Sequence, residues 1–360
     1  MSLAKSIVND CLRITEKDNV AINLYPHNLP LAEEIADECF RNGADVIMSL
    51  YSDQFYASYY RNMSEESLKR PSVFCKALTQ SSTAQIYMAN TYDPKVLRTI
   101  DSAKLAADAI GENNAHFPLS RERKIRTLNI GLAALTKPRA KAYGFKFKKW
   151  SKMTEAATSV DYQKLAKKGR ALRNSLTDAK TITVTGSGKT DLSFDVSGRK
   201  WYLSDGIVDE EDIKNEDFND QLPAGSITVA PIEDSAKGRI TFNAGTPLMG
   251  RLVNGLRLTF KDGKVTDFEG NKSTAALEKN FEEGTGNKDS IGMFNIGFNP
   301  AAETGYLVNN VAYGAVSIGI GGNEFLGGTN KPGFFHFDTM VGASVRADGR
   351  TIIQKGKIVV

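Results

Sequence analysis

Near residue 180 the chain changes character, and no single fold class accommodates both sides of the change. Of its 31 glycines, 26 fall after that point, where they punctuate short runs of alternating apolar and polar residues. Before it, short apolar runs are separated by longer stretches whose apolar residues recur every three or four positions. Alternation with glycine turns builds hairpins, whereas strand-type and helix-type runs in succession build βαβ units on a parallel sheet. Charge divides at the same place. Residues 1–180 carry 28 Lys and Arg against 19 Asp and Glu, and residues 181–360 carry 18 against 23, a contrast that the net charge of +4 conceals. The expectation is an α/β domain with a largely parallel sheet over residues 1–178, followed by a mixed, β-rich α+β domain over residues 179–360.

Within the first half, Asn19–Leu24, Ala44–Leu50, Ala84–Ala89 and Arg126–Leu132 read as strands. Pro30–Phe40 reads as a helix that Gly43 is placed to end, and a second helix is expected from about Asp93 to Ile110. A long helix over Asp161–Leu176 bridges to the second half. There, Thr181–Thr185 and Asp191–Val196 flank a Gly-Ser-Gly turn, Leu256–Phe260 and Lys264–Phe268 flank Lys-Asp-Gly, and a last hairpin turns at Ala347-Asp-Gly349. Asp205–Asp220 holds eight carboxylates in sixteen residues and reads as a solvated loop.

Several functions are disfavoured at this level. The longest mostly apolar stretch, Leu128–Leu135, is far shorter than the roughly 18 residues that span a bilayer, so no membrane partner is expected. Asp10 stands where a signal peptide needs an apolar run, and three cysteines without a C-x-x-C make neither a disulfide framework nor a zinc ribbon. A cytoplasmic location follows as an expectation. Gly186-Ser-Gly-Lys-Thr190 lacks the first glycine of a phosphate loop, since Thr183 occupies that place, and strand alternation follows it in place of a helix. Lys137–Lys152 interleaves seven basic residues with Tyr143, Phe145, Phe147 and Trp150; a surface helix with packed aromatics is favoured there over a nucleic-acid site. Cys11, Cys39 and Cys75 read as buried small hydrophobes, and His27 and His116 as loop or capping histidines.

The most specific stretch runs Asp220-Gln-Leu-Pro-Ala-Gly-Ser-Ile-Thr-Val-Ala-Pro-Ile-Glu-Asp-Ser-Ala-Lys-Gly-Arg-Ile-Thr-Phe242. With Thr190-Asp-Leu-Ser-Phe194, Asn295-Ile-Gly-Phe-Asn-Pro300, Gly319-Ile-Gly-Gly-Asn323 and Phe335-His-Phe-Asp338, it resembles the aminopeptidase T family of thermophilic-type metalloaminopeptidases. Pro138-Arg-Ala-Lys-Ala-Tyr-Gly144 extends the resemblance into the first half. The resemblance implies two divalent ions in the C-terminal domain, a peptide substrate and a homodimer. It also implies five ligand positions. Ser226 and Met293 stand where the family has glutamates, Ser317 stands where it has a histidine, and His336 and Asp338 keep its His-x-Asp pair. Asn309-Asn310 replaces a frequent acidic pair, and Glu324 and Phe325 occupy the region of the family's catalytic tyrosine. All five ligand positions are expected to line one pocket.

Two adjacent divalent ions need several anionic oxygens, and two hydroxyls with a thioether do not supply them. A two-metal centre is therefore disfavoured, leaving no metal or one divalent ion (Zn, Co, Mn or Fe). His336 and Asp338, two apart on a strand, face the same side and could share that ion. Glu233, Asp234, Glu303 and Glu324 are the acids nearest by motif to complete it. Alternatively His336 hydrogen-bonds to Asp338 or a backbone carbonyl and binds nothing. Three functions stay open: an aminopeptidase removing N-terminal residues through metal-activated water, a non-catalytic descendant that binds a peptide or small molecule, and a mononuclear-metal enzyme. The last resembles the ring-opening dihydroxypyridine dioxygenases, which hold one iron with two histidines and an aspartate.

Overall fold

The computed structural model describes residues 2–248, 251–271, 273–331 and 333–360. The chain divides into two compact units, one of Met1–Tyr162 with Gly206–Pro223, the other of Gln163–Asp205 with Ala224–Val360. Among the described residues no helix is long and apolar enough to cross a membrane.

The first unit is built on a five-stranded sheet in which every neighbouring pair is parallel. Its order across the sheet is Asp45–Leu50, Asn19–Leu24, Ala84–Met88, Arg126–Ile130 and Asn219–Leu222. The interior strand Asn19–Leu24 buries five successive residues, as a parallel strand covered on both faces must. Leu29–Arg41 follows as a helix, and Gly43 at φ +80° takes the left-handed turn beyond it. Three further helices, Asp53–Asn62, Glu65–Leu68 and Val73–Ser81, each start on a serine whose hydroxyl accepts a backbone N–H, namely Ser52, Ser64 and Ser72.

Two expectations need correction here. The helix expected over Asp93–Ile110 is a short 3-10 turn at Pro94–Thr99 and then a long helix, Ser102–Glu122. The break has a local cause, since Asp93 and Asp101 each cap a new start by accepting the backbone N–H of Lys95 and Ala103. The acidic stretch Asp205–Asp220 is not simply a solvated loop. It contains a short helix, Glu210–Lys214, closed by a capping box on Asp209 and Asp212, and leads into the fifth strand of the parallel sheet. Asp205 and Asp220 at its ends are buried, and Asp220 accepts the backbone N–H of Gly206 at 2.6 Å.

The second unit is antiparallel. An eight-stranded sheet contains the expected hairpin Thr181–Gly186 with Thr190–Asp195, so Gly186-Ser-Gly-Lys-Thr190 is a turn. It also holds Arg257–Lys261 with Lys264–Glu269, and the closing turn before Arg350. A five-stranded sheet orders Phe335–Met340, Val316–Gly321, Ile291–Gly297, Ser226–Val229 and Tyr202–Ser204. The two sheets pack face to face. Phe194 of the larger meets Phe294 of the smaller edge to face at 5.1 Å, Trp201 meets the same ring at 6.0 Å, and Met340 lies over Gly186, where no side chain would fit.

The basic segment Lys137–Lys152 forms parts of two helices, Lys137–Tyr143 and Phe147–Thr158. Its aromatics pack on one another, Phe145 against both Tyr143 and Trp150, and Trp150 is buried.

Candidate functional site

The five ligand positions all fall on the smaller sheet of the second unit, and strand register decides which of them face each other. Directly paired residues share a face, and successive residues alternate. Ser226 pairs with Gly297, Met293 with Gly319, and Ser317 with both Asn295 and Thr339. Side-chain contacts agree with that register. The Ser317 and Thr339 hydroxyls are 2.8 Å apart, Thr228 donates to Asn295 Oδ1 at 2.8 Å, and a side chain at Gly319 would strike Met293 and Phe335. Ser226, Met293 and Ser317 therefore share one face with Thr228, Asn295, Thr339 and Phe337.

His336 and Asp338 belong to the other face. They pair with Ile320 and Ile318, and alternate with Phe337 and Thr339. Phe294 and Met340 lie on that same side and point at the eight-stranded sheet. The expectation of one pocket lined by all five positions is thus not met: the sheet itself separates three from two. The three that share a face also lie apart, because Ser226 and Ser317 are two strands from each other, on the order of 10 Å.

The chemistry of each face follows. On the first, Ser317 and Thr339 are fully buried and satisfy one another, while Asn295 donates to the Asn310 carbonyl at 2.8 Å. Met293 packs against Ala230 and Leu326, with Tyr202 and Phe337 beside them. This is a neutral, hydrogen-bonded and partly apolar surface. Asn309 is engaged likewise, accepting from Gly305 N–H at 2.7 Å and donating to the Gly245 carbonyl at 2.8 Å. On the second face, His336 Nε2 is 3.3 Å from Asp338 Oδ2, and both residues are buried. Among the described residues, His336 Nε2 and Asp338 Oδ1 find no hydrogen-bond partner.

The four acids placed nearest by motif do not complete a site. Glu233 is committed to an ion pair with Arg199 and accepts from Thr329 N–H at 2.7 Å and Asn323 Nδ2 at 3.1 Å. Partial burial pushes its pKa up, but these hydrogen bonds and the guanidinium outweigh burial and leave it below the ordinary glutamate value. Asp234 and Glu303 are exposed, and so is Glu324, which lies 3.4 Å from Lys331 Nζ. Among the described residues no group of three or more His, Cys, Asp and Glu side chains converges to hold a metal ion.

A two-metal centre does not fit these residues. Its glutamate and histidine positions hold two hydroxyls and a thioether on one face, and the surviving imidazole and carboxylate lie on the other. The residues that do organise the first face, Thr228, Asn295 and Thr339, were not anticipated. Their signal was present as isolated polar residues inside otherwise apolar strands, but only the register shows that they meet.

The chain was compared with known proteins. The family model described as thermophilic metalloprotease (M29) matches residues 1–313, ending before the strands that carry Ser317, His336 and Asp338. Among solved structures, wild-type AmpT from Thermus thermophilus is 14% identical with a TM-score of 0.77, covering 99% of this chain and 98% of its own. The 2,5-dihydroxypyridine dioxygenase from Pseudomonas putida is 13% identical with a TM-score of 0.66, covering 99% of this chain and 96% of its own. No curated protein matches the sequence. At such identities the two structures establish a shared fold and nothing about chemistry. Together with a family match over most of its length, that fold makes this chain a member of the thermophilic metalloprotease family (M29) with a metallo-aminopeptidase-like architecture.

Proposed function

We propose that this chain is a non-catalytic member of its family, keeping the aminopeptidase-like fold to bind a peptide or small molecule without two-metal hydrolysis. The observation that carries the reading is the division of the five ligand positions between two faces, with the Ser226, Met293 and Ser317 face neutral. Hydrolysis through metal-activated water needs ions held by several anionic oxygens in one place, and no such group forms among the described residues. A homodimer is part of the proposal on the strength of the family resemblance. So is a cytoplasmic setting.

One observation favours a second reading. His336 Nε2 and Asp338 Oδ1 are buried without hydrogen-bond partners, which suits a single divalent ion, Zn, Co, Mn or Fe, held by that pair. Two donors among isoleucines and a methionine leave such an ion short of ligands, so the reading ranks second.

The test is turnover of leucine p-nitroanilide and of unblocked di- and tripeptides with Zn, Co or Mn supplied. The expected result is no hydrolysis above a metal-only control. Hydrolysis abolished by a chelator and by Asp338→Asn would overturn the proposal.

A further inference from the structure

The carboxyl ends of the parallel strands in the first unit offer a second place for a ligand, independent of the reading above. Asn19–Leu24 has the next strand in the chain, Asp45–Leu50, on one side and Ala84–Met88 on the other. Onward connections from Asn19–Leu24 and Ala84–Met88 thus run to opposite sides, and the crevice beyond such a pair is where sheets of this order take ligands. His27 stands there in the turn Pro26–Asn28, and Thr91 and Tyr92 stand in the loop after Ala84–Met88. His116 departs from its reading as a loop or capping histidine. It is buried inside the helix Ser102–Glu122, and its two nitrogens meet Thr79 Oγ1 at 2.8 Å and the Tyr87 hydroxyl at 3.1 Å. Cys75 near it, read as a buried hydrophobe, is only half-buried.

Two closed-off nitrogens at the crevice are left without partners. Arg139, in the helix Lys137–Tyr143, is 5% exposed. Its Nη2 donates to the Thr91 carbonyl and to Thr91 Oγ1, while its Nε finds no acceptor among the described residues. Nor does a carboxylate there pair with the guanidinium. Asp53 accepts the Tyr92 and Asp93 N–H groups at 2.8 Å each, and Asp93 accepts that of Lys95 at 2.9 Å. Burial lowers the Arg139 pKa although Tyr143, Asp53 and Asp93 act to raise it, as befits a cation with too little opposite charge around it. His27 Nε2 is 2.9 Å from the Ala133 carbonyl, which can only accept, so the ring carries its proton on Nε2. Asn28 Nδ2, 3.2 Å from that nitrogen, donates to the Met88 carbonyl at 2.9 Å. His27 Nδ1 keeps a bare lone pair with no donor among the described residues. Burial, with Arg139 acting the same way, lowers the His27 pKa and keeps the ring neutral.

A donor without an acceptor and an acceptor without a donor call for one group that carries both an oxyanion and a proton. Carboxylate and sulfate are acceptors only, whereas a phosphate that keeps its second proton is both. We propose that this crevice is a phosphate-binding site, in which Arg139 Nε donates to one phosphate oxygen and His27 Nδ1 accepts the proton held on another. Neither nitrogen is open to solvent, so the ligand enters as the half-exposed Tyr92 ring, edge to face on His27 at 5.4 Å, turns outward.

The experiment is calorimetric titration of the full chain at pH 6, where a phosphate monoester keeps about half of its second proton. Inorganic phosphate, glycerol 3-phosphate and sulfate are compared at equal ionic strength. The expected result is one saturable phosphate per chain, with sulfate at least about tenfold weaker because it leaves His27 Nδ1 unmet. Glycerol 3-phosphate that binds as well as phosphate assigns the site to an ester, and its exclusion assigns it to the free ion; either upholds the site. Arg139→Gln weakens phosphate at least about tenfold. If that variant does not fold, His27→Phe decides, since it removes the acceptor and with it the preference for phosphate over sulfate. No saturable phosphate in the parent, sulfate bound as well as phosphate, unchanged binding in a folded Arg139→Gln, or a preference retained in His27→Phe would overturn the proposal.

Discussion

Ser317 and Thr339 are buried hydroxyls 2.8 Å apart, and that single contact carries much of the proposed reading. A buried carboxylate carries a charge that must be offset and a buried imidazole a lone pair that must be met, whereas two hydroxyls can hydrogen-bond to each other and need no ion. Met293 on the same face joins an apolar cluster with Ala230 and Leu326. Glu233, one of the acids expected to complete the site, is spent on structure, tying Arg199, Asn323 and Thr329 together. Its folded-state pKa lies below its ordinary value of 4.5, so its stabilising effect is present above that value and is lost as pH falls through the lower folded one. Glu233→Gln is accordingly less stable than the parent at pH 7. The difference narrows below pH 4.5 and vanishes at lower pH, as measured by urea midpoints across the range. A destabilisation equal in size at acid and neutral pH would assign Glu233 a role other than its charge.

At the scale of elements, strand parity governs both what the sequence disclosed and what it hid. Asn19–Leu24 was legible to the residue because it is short, apolar and bounded by helix signals. The hairpin at Gly186-Ser-Gly-Lys-Thr190 was legible because alternation on both sides leaves no room for a phosphate-loop helix. The fifth parallel strand, Asn219–Leu222, was hidden among carboxylates, since it is polar and lies at the edge of its sheet. The five positions that motif order picks out all fall on one sheet. Motif order is silent on which face each one takes, because facing depends on register between strands far apart in sequence. Close strand approach also makes a prediction. Gly238 pairs with Leu192 at φ +104°, and a Cβ there would lie 2.0 Å from the Asp191 carbonyl oxygen. Gly144 has φ +73° with nothing near its Cβ position. Gly238→Ala should cost about 2–4 kcal/mol, through backbone strain and collision, and Gly144→Ala only about 1 kcal/mol. Equal losses in denaturant midpoint would show that Gly238 is not a point of close approach.

Over the whole molecule, the fold is shared while the sequence is not. AmpT matches nearly the full chain at a TM-score of 0.77, although only 14% of residues are identical. The family model stops at residue 313, just before the strands bearing Ser317, His336 and Asp338. Fold is held by burial patterns that many sequences satisfy, such as the Phe194, Trp201 and Phe294 cluster between the sheets. Chemistry is held by a few donors whose loss leaves that core untouched. The central claim, that this chain has kept the architecture and given up the two-metal centre, meets its most direct test in metal content. Purified protein is incubated with Zn, Co, Mn and anaerobic Fe(II), freed of unbound ions and analysed for elements per chain. The account predicts no tightly held metal in the parent or in His336→Ala. About one ion per chain, lost in His336→Ala, would replace it with the single-ion reading, and about two ions per chain would contradict it.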